Sequence, residues 1–100
     1  MSLDNAERAI APRLTELAGL GARVRFDFGH EGALTVDAST VPATLSREAR
    51  DAECTIALTI ENFERLVAGE LNATLAYMTG KLKISGSMGV AMKLAGLLED

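Results

Sequence analysis

The chain has 100 residues, with 14 acidic side chains against 10 basic ones, a formal charge of −4 and an isoelectric point near 4.9. That balance excludes nucleic acid as the expected partner, because neutralising phosphates needs a concentrated basic face, and no apolar run approaches the roughly 20 residues that span a bilayer. One histidine and one cysteine allow neither an intramolecular disulfide nor a conventional zinc site, and a chain of this length is expected to build one domain over residues 1–100.

From Leu3 to Leu20, Ala6, Ile10, Leu14 and Leu17 share one helical face, with Glu7, Arg8, Arg13 and Glu16 elsewhere. Pro12 either kinks this helix or begins a second one, and Gly19 and Gly21 end it. Residues 22–28 alternate as a strand: Val24, Phe26 and Phe28 to one side, Arg23, Arg25 and Asp27 to the other. Gly29-His30-Glu31-Gly32 reads as a hairpin turn, and the return strand sends Leu34, Val36 and Ala38 inward, Thr35 and Asp37 outward. A short edge strand around Ala43 to Arg47 follows Pro42, and the charged stretch from Ser46 to Asp51 reads as a loop.

Cys54, Ile56, Leu58 and Ile60 alternate with Thr55, Ala57 and Thr59, a fourth strand. A helix is predicted from about Ile60 to Ala68, burying Phe63, Leu66 and Val67 and ending at Gly69. A second, short helix runs from Asn72, a natural cap, to Gly80, with Leu71, Leu75 and Met78 on one face. In the closing strand Leu82 and Ile84 point one way, Lys81, Lys83 and Ser85 the other. Gly86 permits a turn, and Ser85 or Ser87 can cap a final helix from Met88 to Leu98.

Every inward set on these strands is apolar and every outward set polar. Such a sheet is covered on one face only, which predicts an α+β fold with five strands, mainly antiparallel, and all helices on the same side. The last helix is apolar over an arc of roughly 220°, about twice what a one-sided surface helix needs. Its second face must line a void between the layers or meet a second copy of the chain.

Chemistry is sparse. His30 sits in a glycine-flanked turn and reads as a solvated residue, Cys54 as a buried structural thiol, and Glu61 and Glu64 as first-turn carboxylates that favour the helix dipole. Gly86-x-x-Gly89 lacks the Gly-Lys-Ser/Thr of a P-loop, and its superficial match to an RNA clamp conflicts with the acidic charge and apolar helix. Free N–H groups at the start of the last helix offer a place for a lipid carboxylate or phosphate. No catalytic residue, metal or cofactor is expected, and the chain does not read as an enzyme. Its lysines, Lys81, Lys83 and Lys93, all lie in the C-terminal third, compatible with a weak anionic contact.

Gly80-Lys81-Leu82-Lys83-Ile84, followed by Gly86-x-Met88-Gly89-x-Ala91-Met92-Lys93-Leu94, resembles the C-terminal signature of the sterol carrier protein 2 family. Cys54-Thr55-Ile56, Phe63 and Gly69-x-Leu71-Asn72 resemble the same family upstream, and the likeness covers roughly residues 20 to 98. The chain departs at Thr79, where many relatives carry glutamine, and at Ser87, where they carry asparagine or aspartate. The resemblance implies a hydrophobic tunnel between sheet and helices for a fatty acyl chain, acyl-CoA, sterol or quinone-like lipid, carried without catalysis. The tunnel wall is then expected to include Phe26, Phe28, Leu34, Leu75, Tyr77, Met78, Met88, Met92 and Leu97. Relatives also occur as accessory modules in ubiquinone biosynthesis, which leaves docking on a partner enzyme or a homodimer as the alternative. Transient membrane contact is compatible with either reading. Without a signal peptide or a Ser-Lys-Leu ending, a bacterial-type, stand-alone cytoplasmic carrier is the expectation.

Overall fold

A computed structural model describes residues 3–48 and 51–98; Met1, Ser2, Glu99 and Asp100 lie outside it, as does the middle of the loop expected over 46–51. The N-terminal helix breaks at its proline. Helix α1 spans Leu3–Ile10, a single 3-10 turn covers Ala11–Arg13 with Pro12 in its first positions, and α2 resumes at Leu14–Leu17. A second 3-10 turn, Ala18–Leu20, hands over to the sheet through Gly21 at φ 69°.

The strands are β1 (Arg23–Asp27), β2 (Ala33–Asp37), β3 (Thr44–Ser46), β4 (Cys54–Ala57) and β5 (Lys83–Gly86), ordered β3-β2-β1-β4-β5. The pairs β1–β2, β2–β3 and β4–β5 are antiparallel; β1 and β4 run parallel, with Phe26 opposite Ile56. The five-stranded, mainly antiparallel α+β sheet read from the alternation is therefore present. Its fourth strand is shorter than the pattern suggested, because Thr59 is not a strand residue. Its hydroxyl accepts from Asn62 N–H at 3.1 Å and caps α3, Ile60–Val67.

Register sorts the faces as the pattern required. Val24, Phe26, Leu34, Val36 and Cys54 are fully buried beneath the helices. On the opposite face Arg23 pairs with its cross-strand neighbour Asp37 at 3.0 Å. Thr35, on that same outer face, departs from the expectation of a solvated side chain. It is 1% exposed, and its hydroxyl donates to the Glu48 carbonyl at 2.8 Å. One connecting segment thus covers part of a face that the helices leave bare.

The core is densest beside α3. Phe63 meets Phe26 at a ring-centroid separation of 4.8 Å and Phe28 at 5.2 Å, tilted by 57° and 65°, the inclined arrangements that aromatic quadrupoles favour. At the other edge of the sheet lie α4, Ala73–Met78, and α5, Met88–Leu98. The joint between β5 and α5 is Gly86, at φ 93°. A Cβ added there would stand 2.4 Å from the carbonyl oxygen of Glu53, the residue just before β4. Gly86→Ala is therefore expected to destabilise the fold by at least about 2 kcal/mol through the left-handed φ and the backbone overlap together. Urea denaturation measures this, and a midpoint unchanged from the parent would refute it.

Candidate functional site

Two helices with different anchors form the site. Helix α5 is pinned at its start, where Ser87 N–H donates to the Glu53 carbonyl at 2.8 Å and Ser87 Oγ accepts from Val90 N–H at 3.2 Å. Of the two serines considered as caps, Ser87 takes the role. Helix α4 is capped by Asn72, whose Oδ1 accepts from Leu75 N–H at 3.0 Å. It closes with Thr79 Oγ1 donating to the Leu75 carbonyl at 2.8 Å and the Lys81 N–H donating to the Ala76 carbonyl, also at 2.8 Å. Only Ala76 of α4 is buried, so the helix turns a small side chain inward. The predicted inward face of Leu71, Leu75 and Met78 is corrected accordingly: Leu71 is half-buried, whereas Leu75 and Met78 are 60% and 73% exposed.

Between α4, α5 and the β4–β5 edge runs a groove of about 370 Å³, within the roughly 300–1,000 Å³ of small-molecule sites. Ile56, Leu82 and Ile84 form its floor and Leu66 one end; Ala73, Thr74 and Tyr77 stand on the α4 side. Met88, Ala91, Met92, Leu94, Ala95, Gly96 and Leu98 stand on the α5 side. The hydroxyls of Thr74 and Tyr77 are the polar side-chain atoms among these. A second, more polar cavity of about 510 Å³ lies behind, bounded by residues 68–72 together with Leu66 and Leu98. Leu66 and Leu98 therefore border both spaces. An enclosed tunnel is not what the structure shows. Met92 is 71% exposed and Tyr77 45%, and the space between them opens to solvent.

Arg13 braces the far end. Its Nη1 donates to the Val67 carbonyl at 2.8 Å and its Nη2 to the Leu98 and Leu97 carbonyls at 3.2 and 3.4 Å, while Nε pairs with Glu16 at 2.8 Å. One guanidinium thus holds the C-terminal ends of both α3 and α5, where a cation also meets the negative helix poles. The carbonyls it grips belong to Leu98 itself and to Val67, the neighbour of Leu66.

Of the nine expected wall residues the structure brings Tyr77, Met88 and Met92 to the groove. Phe26, Phe28 and Leu34 are buried in the packed core, the two rings being filled in by Phe63. Leu75 and Met78 point to solvent, and Leu97 is half-buried off the groove beside Arg13. Ala73, Ala91, Ala95 and Gly96 carry no sequence signal as wall residues because they are small, and Ile56, Leu66, Leu82, Ile84, Leu94 and Leu98 carry none because their spacing is that of ordinary core. Cys54 is fully buried, and burial pushes its thiol up. His30 is exposed in the 29–31 turn, away from the groove.

A family model described as the SCP-2 sterol transfer family matches residues 3–99. The chain belongs to that family. Human sterol carrier protein 2 is 39% identical over 70 residues, 69% of this chain but 13% of the human protein. The chain thus spans only a small part of the curated relatives it matches. The solved structure of a UbiJ-SCP2 ubiquinone synthesis protein superimposes with a TM-score of 0.72 over 92% of this chain and 88% of that one, at 20% identity. Aedes aegypti sterol carrier protein 2 in complex with the C16 fatty acid palmitate superimposes with a TM-score of 0.68, over 98% and 96% of the two chains, at 18% identity. At those identities the two structures establish the shared fold.

Arg13→Ala is expected to lower stability by about 2–3 kcal/mol, the scale of charge-assisted bonds to buried carbonyls. Arg13→Lys should recover less than half of that, since one ammonium cannot reach two helix ends at once. Urea titration of the three proteins decides it, and equal stability of the lysine variant and the parent would refute the brace. Cys54 should resist a thiol-specific reagent in the folded protein and react on unfolding; prompt native labelling would contradict its burial.

Proposed function

We propose that the groove between α4 and α5 binds the hydrocarbon part of a lipid and that the chain acts as a non-enzymatic lipid-binding and transfer domain. The observation that carries this reading is the groove wall, apolar except for the hydroxyls of Thr74 and Tyr77. Tyr77 is also its one titratable side chain, and no His, Cys, Lys, Asp or Glu stands beside it on the wall to activate its hydroxyl or that of Thr74. Among the described residues no group of three His, Cys, Asp or Glu is placed to hold a metal ion. The palmitate complex of the Aedes aegypti relative supports an acyl chain as occupant.

The energetics agree. A chain of about fifteen methylenes gains at most roughly 12 kcal/mol gross at about 0.8 kcal/mol each. Micromolar affinity needs about 8 kcal/mol net, so entropy and reorganisation still leave a useful complex. With two hydroxyls and no charge on the wall, the groove reads length and bulk more than headgroup. Fatty acid, acyl-CoA, sterol and quinone-like lipids remain within its chemistry. Met88 and Met92 add flexible, polarisable walls that suit several ligands. No helix of the described residues is long and apolar enough to cross a membrane. A single buried cysteine fits a reducing cytoplasm, the compartment we assign.

Ala95 lines the groove and is only half-buried, so a larger side chain there can fill the space without overpacking the core. Ala95→Phe is expected to weaken displacement of a fluorescent fatty acid at least tenfold while leaving the thermal midpoint near that of the parent. Leu75→Ser, off the groove, should leave displacement unchanged. Native mass spectrometry of protein purified without detergent should show bound lipid. A lipid-free protein whose Ala95→Phe variant binds the probe as the parent does would sink the carrier reading. It would favour instead the accessory role suggested by the likeness to the ubiquinone synthesis protein.

A further inference from the structure

Charge and exposed apolar surface are distributed very unevenly. Between Leu71 and Leu98 the sequence holds three lysines and no carboxylate, which leaves a formal −7 on the rest of a chain whose total is −4. The same span carries nearly all the large apolar side chains that stand in solvent. Among the described residues these are Leu75, Tyr77, Met78, Met88 and Met92, all on α4 and α5, and otherwise only Val41. Lys81 lies three residues past the end of α4, Lys83 on edge strand β5 and Lys93 on α5, all three exposed.

We infer that the α4–α5 face docks on an anionic lipid bilayer, with Leu75, Met78 and Met92 entering the interface and lysine ammonium groups meeting the headgroups. Exposed apolar side chains flanked by lysines are the pattern of an interfacial membrane contact. The acidic remainder opposes any other orientation on such a surface and turns the molecule so that this face leads. The N-terminal helix offers no rival. Asp4 and Glu7 on α1 are both paired with Arg47, and of its apolar residues Ala6 and Ile10 are buried while Leu3 and Ala9 pack partly against the core. A neutral or cationic protein partner would not explain why carboxylates are missing from this span alone. The pleat of β5 turns Ile84 to the groove and so sends Lys83 to the outer side of the sheet. Lys81 and Lys93 should therefore contribute more than Lys83. The inference concerns where the domain docks and does not depend on which lipid the groove holds.

The test is co-flotation of the protein with vesicles of phosphatidylglycerol and phosphatidylcholine in equal parts, against phosphatidylcholine alone. Binding is expected to the anionic vesicles at low ionic strength and to fall as salt screens the surface. Each lysine near an anionic surface is worth about fivefold in partitioning, so Lys81→Gln with Lys93→Gln should weaken binding on the order of twentyfold. Arg8→Gln with Arg65→Gln removes the same charge from other faces and should leave partitioning within about twofold. Leu75→Ser with Met78→Ser should weaken it about tenfold. All these variants change exposed residues off the groove and should still displace the fluorescent fatty acid in vesicle-free solution, which separates loss of docking from failure of the groove. No binding to anionic vesicles at low salt would overturn the inference, and so would equal losses for the lysine and arginine pairs. A dimer that Leu75→Ser with Met78→Ser converts to monomer, without vesicle binding by the parent, would assign the face to a second copy and overturn it as well.

Discussion

Phe63 is the side chain from which the two halves of this molecule diverge. It reaches from α3 to both Phe26 and Phe28 on the sheet, so all three phenylalanines of the sequence are spent at one place. Beneath α1 and α3 the space between the layers is occupied by Ile10, Phe26, Leu34 and Phe63, all fully buried. Towards β4 and β5 the two helices set Ala73, Ala91, Ala95 and Gly96 among larger wall residues such as Leu66, Leu94 and Leu98, and a gap of about 370 Å³ is left between them. The groove is a consequence of where side-chain volume was placed. A void of this kind forfeits dispersion contacts along its walls, and an apolar guest restores them. The helices can stand apart because neither needs the other: Arg13 and Ser87 hold the two ends of α5, and Ala76 seats α4.

That division also shows why the last helix looked anomalous as a sequence. Ala91, Leu94 and Leu98 bury one side against the sheet and the N-terminal segment, while Met88 and Met92 face the groove and solvent. An apolar arc twice as wide as usual is two adjacent stripes with two uses. The sequence pattern allowed a void or a second copy of the chain as the reason. The structure supplies the void, with Met92 at its lip.

The alternation of Val24, Phe26, Leu34, Val36, Cys54 and Ile56 made the sheet and its one-sided cover legible from the residues alone, because the period of two is local and strong. The positions of Pro12, Asn72, Gly86 and Ser87 likewise announced element ends through backbone chemistry that acts within a few residues. What stayed hidden was tertiary. Phe26 and Phe28 looked like groove walls until Phe63 arrived from far along the chain. On the short helix from Ala73 the buried position is Ala76, although Leu75 and Met78 are the greasier side chains. The brace made by Arg13 gave no signal, since the carbonyls it holds lie 54 to 85 residues away. Sequence apolarity marks what can be buried; it does not say which of two greasy residues a crowded site will accept.

Tyr77, Met88 and Met92 belong to both surfaces proposed for this protein. They line the groove and they stand exposed on the α4–α5 face. A groove that opened anywhere else would force a lipid to cross water between carrier and bilayer, at about 0.8 kcal/mol for each methylene exposed on the way. A mouth within the docking face removes that barrier: tail carbons pass from methionine side chains to acyl chains with little change in surroundings. Of the two walls, α4 buries only Ala76, whereas α5 is held at both ends by Ser87 and Arg13.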